Sequence, residues 1–345
     1  MWSVRVSVDE RTTTGSVARR KLFGILAGGV PGQCCYAVAR LGVPDLLADG
    51  PRPVAELAAE SGADPQVLHR LLRGLVALGL FRRVEPDGYA LTSVGELLRA
   101  DVPGSLRQTA IMYGDVVARS FAEIMHTVRT GRPAFEKVYG QAFYDYLDGH
   151  PDVAETFAAA MGSEPAPAVL DGIDLSEVST LVDIGGGDGG LLIDVLDRYP
   201  HLHGVLLELP NSVQAAGKRL EAAGLAGRAR LVAGSFFDSA PTGGDIYVLA
   251  RVLHNWTDER AELLLRRVGA AMRPDARLLV LEKLLPDTVD TLGRAAVDLL
   301  MLGLLEGRDR TEGEYLSLLD NAGFDVVRVL PMEGSAEGLI EAVIR

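Results

Sequence analysis

Cysteine is nearly absent from this chain of 345 residues: Cys34 and Cys35 are the only two. Neighbouring cysteines rarely bridge, so neither a disulfide framework nor a cysteine-held metal cluster is expected, and the sequence reads as a reduced, cytoplasmic protein. Basic excess is also missing. The net charge is −13, which argues against nucleic acid or an anionic membrane as the main partner, since both need a positive face. No apolar run is read as long enough to span a bilayer. The first residues, MWSVRVSVDERTTTGSVARRK, lack the apolar centre of a signal peptide. Their polar content predicts a disordered leader over residues 1–17.

What is plentiful is apolar residues, 48% of the chain, enough for two cores at this length. The most informative stretch is Leu181–Glu208, LVDIGGGDGGLLIDVLDRYPHLHGVLLE. An apolar run ends in Asp183; the glycines 185, 186, 187, 189 and 190 follow; then come a helix-length segment and a second apolar run closed by Glu208. Strand, glycine turn, helix and strand with an acid at its tip describe a nucleoside-binding half-fold. The glycines let a ligand lie against bare backbone. Gly185, Gly187 and Gly190 satisfy GxGxxG, so NAD is a formal possibility. Two carboxylates favour S-adenosylmethionine instead. Asp183 suits a cationic amino-acid tail, and Asp188 in the loop would repel phosphates.

The pattern changes near residue 165. Before it, Asp64-Pro65 forms an N-cap and first-turn proline, with Leu68, Leu72, Leu75 and Val76 following at helical spacing. Two β-prone pieces then flank Pro86-Asp87-Gly88, a hairpin signal. Helices ending in a hairpin resemble a winged helix. DNA binding is disfavoured, because Arg52, Arg70, Arg73, Arg82, Arg83 and Arg99 are balanced by Glu56, Glu60, Asp64, Glu85, Asp87 and Glu96. The Gly162-Ser-Glu-Pro-Ala-Pro-Ala segment reads as the junction, giving a helical domain over 18–164 and a second domain over 165–345.

In the second part, strand-like runs at 181–185, 204–209, 229–234, 245–251 and 277–283 alternate with helices. Two more, 324–331 and 339–344, are too close for a helical crossover and must pair antiparallel. The predicted fold is α/β: a seven-stranded, mostly parallel, Rossmann-like sheet with one antiparallel C-terminal strand. Ligands in such sheets sit at the carboxyl ends of the strands. After the third strand comes Gly234-Ser235-Phe236-Phe237, suited to an adenine. After the fourth comes Arg251-Val-Leu-His254-Asn255-Trp256, and the fifth ends in Glu282-Lys283. A helix over 295–305 leads to Arg308-Asp309-Arg310-Thr311. His254, Glu282 and Asp309 are thereby expected to converge above one sheet edge. No spacing demands a metal; His69 and His126 read as structural, and His201 and His203 as solvated.

These motifs together (VDIGGGDG, the acid at Glu208, GSFFD, VLHNWTDE and GRDRTEGEY) resemble the S-adenosylmethionine-dependent small-molecule O-methyltransferases, the group of plant caffeate-type and bacterial aromatic-polyketide and antibiotic enzymes. The likeness runs from about residue 20 to the C-terminus, and LGVPDLLADGPRPVAELAAESG is similar to the family's dimerisation region. The resemblance implies a homodimer acting on a small aromatic acceptor. It implies that Asp183, Gly185, Gly187, Glu208, Leu209, Gly234, Ser235, Phe236, Arg251 and Trp256 serve the cofactor. It implies His254 as general base, with Glu282 and Asp309 as the acids beside it. Phe143, Met161, Met301 and Asn255 fall at acceptor-pocket positions, although apolar residues at helical spacing, Tyr144 among them, suit a core equally well. Ser235 stands where many relatives have Asp, and Asp309 where Glu is common. Some family members keep the cofactor but perform C-methylation, hydroxylation, decarboxylation or cyclisation; loss of the histidine would have favoured that reading, and the histidine is present.

Overall fold

The computed structural model describes residues 10–161, 172–286, 292–331 and 337–345. The 162–168 junction segment lies outside them, as do residues 1–9 of the expected leader. Helix Glu10–Leu26 begins within the stretch expected as a leader.

The chain forms two compact units, residues 1–116 and 117–345. This divides the chain some way before the expected boundary at 164/165. Packing explains the difference. The helices between residues 118 and 161 are fastened to the second unit: Gly303 is so close to Phe121 that a Cβ there would lie 2.6 Å from its ring, and the Asn211 amide donates to the Asp148 carboxylate at 3.2 Å.

In the first unit, Asp64 caps helix Pro65–Ala77 by accepting from the Gln66 and Val67 N–H groups. The helix buries Leu68, Leu72 and Leu75 on one stripe. Strand β1 (Arg52–Pro53) pairs with β3 (Gly88–Leu91), which forms the expected hairpin with β2 (Phe81–Val84). His69 meets the Tyr89 hydroxyl at 3.0 Å, a structural contact. One expectation fails here. Val17–Arg40 is long and apolar enough to cross a membrane by length and composition. The run escapes a reading by apolar residues alone, because Gly24, Gly28, Gly29, Gly32 and Gln33 dilute it. Phe23 and Leu26 on it are 71% and 75% exposed.

The second unit is built on β4 (Thr180–Ile184), β5 (His203–Glu208), β6 (Ala229–Ala233), β7 (Ile246–Ala250), β8 (Arg277–Leu285), β9 (Arg310–Thr311), β10 (Phe324–Pro331) and β11 (Glu337–Ile344). The order is β10-β11-β8-β7-β4-β5-β6, with the short β9 against the end of β8. Among the described strands, β11 alone is reversed relative to the rest of the sheet; it is antiparallel to both β8 and β10. The mostly parallel sheet with one reversed terminal strand is as expected.

Strand periodicity positions the acids. Along β4, Val182 and Ile184 face one core with Leu264 and Val268. Leu181 faces the other, with Leu192 and Leu206, and Asp183 falls on that second side. Glu208 lies two residues beyond Leu206, the register partner of Asp183, so the two carboxylates share a face. On β8 the same alternation puts Glu282 on the side of Val280 and Tyr315. The sheet therefore presents two acidic sites at its carboxyl edge, one on each face.

Candidate active site

Asp183 is fully buried, and neither carboxylate oxygen has a hydrogen-bond partner among the described residues. Such a group must be answered by a ligand cation or held neutral. Burial, then the charge of Glu208, raises its pKa to about 7. Glu208 is likewise pushed up to about 7 by burial, although the N–H groups of Leu209 and Gly187 donate to it and pull the other way. The loop between them turns at Gly185, Gly187 and Gly189, with φ of 72°, 59° and 79°, a region that favours glycine. A Cβ on Gly186 would lie 2.1 Å from the Asp183 carboxylate. A deep, unanswered acid, a bare loop and a second acid at the next strand end fit a cationic nucleoside.

The rim of that site is aromatic. Trp256 is met edge-on by Phe237 at 4.7 Å and Phe236 at 5.9 Å, and the Arg260 guanidinium lies 4.3 Å over its ring. Phe236 also approaches Gly185, where a Cβ would be 3.3 Å away. The Gly234 N–H donates to the Glu208 carbonyl at 2.9 Å, and the Ser235 hydroxyl accepts from the Phe237 N–H at 3.2 Å. A cavity of about 420 Å³ opens beside Gly234 and Ser235. Tyr144 stacks on Trp256 at 5.5 Å; burial and the Glu208 charge raise its phenol pKa. Tyr144 is thus brought to the nucleoside side. Its neighbour Phe143, assigned to the acceptor pocket by resemblance, is buried against Phe135 and Phe157.

On the other face, Glu282 uses its two oxygens differently. Oε1 accepts from the Val252 and Leu253 N–H groups at 2.9 and 2.7 Å. Oε2 lies 3.3 Å from His254 Nδ1. Asp309 Oδ1 is 3.6 Å from the same nitrogen, and Lys283 Nζ is 3.4 Å from Asp309 Oδ2. Burial alone would lower the histidine pKa; the charges of Glu282 and Asp309 outweigh it, and the net direction is upward. Burial raises the Glu282 pKa, against the His254 charge and its N–H donors. Nδ1 lies between the two carboxylates without a full hydrogen bond to either among the described residues; with the proton on that nitrogen, Nε2 carries the lone pair. His254, Glu282 and Asp309 do converge.

Two residues hold this loop that sequence reasoning did not single out. Arg310, 1% exposed, donates to the Leu253 and Trp256 carbonyls at 3.0 and 2.7 Å and to Asp258 at 2.7 and 2.9 Å. Gly307 leaves no room for a side chain: a Cβ would fall 2.0 Å from the His254 carbonyl. Both sit in the segment around GRDRT, which was marked for Asp309. Other expected residues take supporting positions. The Arg251 guanidinium pairs with Glu337 at 2.5 and 2.6 Å. The Asn255 amide donates to the Arg251 carbonyl at 3.2 Å. The Leu209 N–H donates to Glu208. Met301 is buried on helix Leu292–Leu304, and Met161 is 42% exposed.

Comparison with known proteins gives the family. The O-methyltransferase domain profile matches residues 121–325, and the O-methyltransferase dimerisation domain profile matches residues 25–101. The phenazine O-methyltransferase PhzM of Lysobacter antibioticus is 39% identical over 324 residues, 93% of this chain and 95% of the relative. The 8-amino-8-demethylriboflavin N,N-dimethyltransferase of Streptomyces davaonensis is 41% identical over 305 residues, 86% of this chain and 87% of the relative. The crystal structure of NcsB1, an O-methyltransferase from neocarzinostatin biosynthesis in complex with S-adenosylmethionine and 2-hydroxy-5-methyl naphthoic acid, superposes with a TM-score of 0.80 at 35% identity, covering 92% of this chain and 96% of that one. The chain belongs to the O-methyltransferase family and is an S-adenosylmethionine-dependent enzyme of it.

Proposed function

We propose that the enzyme methylates a phenolic or enolic hydroxyl of an aromatic secondary metabolite, with His254 as the general base. The observation that carries this reading is the His254 Nδ1 to Glu282 Oε2 distance of 3.3 Å, with Asp309 at 3.6 Å. A phenol ionises near pKa 10, so a positioned imidazole is a well-matched acceptor for its proton at neutral pH. Glu282 fixes the tautomer and stabilises the imidazolium that forms. Asp183, Gly185, Gly187, Glu208, Phe236 and Trp256 would hold the cofactor, which supplies an electrophilic methyl group on a sulfonium. Tyr144 and Trp256 shield that side from water. Arg310 and Gly307 keep the base in place, so much of the acceleration is positional, about 7–11 kcal/mol for well-aligned reactants.

The N,N-dimethyltransferase relative supports a second acceptor class, an aromatic amine. A neutral amine already carries a free lone pair and gains less from a base, so the buried His254 cluster favours the hydroxyl. We further read the enzyme as a cytoplasmic homodimer; Cys34 and Cys35 are free thiols, and the exposed apolar residues of the first unit suit a second copy. Incubating the enzyme with methyl-labelled S-adenosylmethionine and matched panels of hydroxylated and amino aromatics tests the reading. Label on the hydroxyl set supports it; label on the amines alone contradicts it.

A further inference from the structure

Among the described residues, Arg251 is the one residue other than glycine with a positive φ, 56°. A residue with a side chain is strained in that left-handed region, and the surrounding structure must hold it there. It stands where β7 ends and the loop that carries His254 begins. Three contacts hold it. Its N–H donates to the Leu281 carbonyl at 2.8 Å. Its carbonyl accepts from the Asn255 amide at 3.2 Å. Its guanidinium donates to Glu337 Oε1 through Nε at 2.6 Å, with a second nitrogen 2.5 Å from the same oxygen. The next two N–H groups, of Val252 and Leu253, both meet Glu282 Oε1. The turn at Arg251 thus sets how the loop meets Glu282.

Glu337 comes to this turn from the far end of the sequence. Strand β11 runs antiparallel to β8, so its first residue, Glu337, lies at the carboxyl edge of the parallel strands, in register with Lys283. In the sheet β8 stands between β11 and β7, and the Arg251–Glu337 pair spans it. By alternation Glu337 falls on the side of Leu339 and Leu281, opposite to Glu282. The start of the loop is therefore held from both faces of the sheet. We propose that Glu337 is a positioning residue of the base: through Arg251 it holds the left-handed turn that brings the Val252 and Leu253 N–H groups to Glu282 and so sets His254 beside that carboxylate. A partly exposed ion pair contributes little by itself. This one acts on a single strained residue, where a small restraint decides which backbone conformation the loop takes.

The inference rests on His254 as the base only for its effect on turnover, so the first readout is made on ligand-free enzyme. Hydrogen exchange of the Val252 and Leu253 amides, followed by NMR, should be about tenfold faster in Glu337→Ala, with Val182 on β4 unchanged as the control. Glu337→Gln keeps an acceptor and should fall between Glu337→Ala and wild type. Arg251→Ala loses the pair and keeps the strain, whereas Arg251→Gly loses the pair and adopts the turn freely; the glycine variant should exchange more slowly than the alanine one. The second readout is function. Glu337→Ala should bind S-adenosylhomocysteine within about twofold of wild type, while turnover of a hydroxylated aromatic labelled in the panel above falls about three- to tenfold. Unchanged amides, a change that reaches Val182 equally, or equal exchange in the two Arg251 variants overturns the inference. So does wild-type turnover with the two amides exchanging fast. If the amides quicken and turnover falls in Glu337→Ala while His254→Ala keeps full turnover, Glu337 stands as the holder of the loop and the general-base reading falls.

Discussion

Glu282 makes more contacts than its neighbours in the candidate site, because one oxygen accepts from the backbone of the loop that carries His254 while the other lies 3.3 Å from the imidazole. Arg310 closes the same loop from below. Arg310→Met should remove donors to two buried carbonyls and part the Asp258 pair, costing about 2–4 kcal/mol. Urea denaturation reads that loss, and turnover should fall with it because the loop bearing His254 is no longer fixed. On the proposed reading, Glu208→Ala on the opposite face removes a charge-assisted acceptor for ribose hydroxyls. Calorimetry with S-adenosylhomocysteine should show binding weaker by about 1.5–3 kcal/mol.

The glycine loop and the two strand ends behave as one electrostatic element. Asp183 and Glu208 both titrate near 7 when no cation answers them. Their folded pKa values lie above the unfolded ones, so their protonated forms favour folding at low pH, and that contribution is lost as pH rises through about 7. A ligand that presents an ammonium group to these acids needs their ionised forms. Affinity for S-adenosylhomocysteine should therefore rise with pH up to about 7 and flatten above it, with proton release on binding detectable in buffers of different ionisation enthalpy. An affinity independent of pH between 5.5 and 8 would contradict the paired-acid account. Much of this element was legible in sequence: an apolar run, glycines and a terminal acid force the strand-turn-helix, and Glu208 follows by period. Arg310 and Gly307 were not, because a buried arginine and a glycine excluded by a distant carbonyl take their roles from tertiary packing. Tyr144 and Phe143 are adjacent and aromatic, and only the fold decides which one reaches Trp256. The division at residue 116 was equally hidden. Gly162 and the prolines after it mark a break in composition, whereas the earlier helices are assigned by what they pack against.

At the scale of the whole molecule, the first unit exposes Phe23, Leu26 and Val30 on a stretch that the dimerisation profile matches from residue 25. Exposed apolar side chains in such number mark a contact surface. Obligate dimers bury about 2,000–5,000 Å². Light scattering at micromolar concentration should give twice the 36.8 kDa chain mass. The double substitution Phe23→Glu and Leu26→Glu should shift the species toward monomer; a monomeric wild type would overturn the dimer.

The central claim is that the carboxylate-held imidazole does the proton transfer while the Asp183–Glu208 strand ends and the Trp256 rim hold the cofactor. Paired measurement on His254→Ala, of S-adenosylhomocysteine affinity and of turnover against pH, tests it most directly. The account predicts affinity within a few-fold of wild type, turnover lower by about 10²–10⁴, and residual activity that rises with ionisation of the substrate hydroxyl in place of the histidine. Wild-type turnover in His254→Ala would contradict it, leaving a site that works by alignment alone.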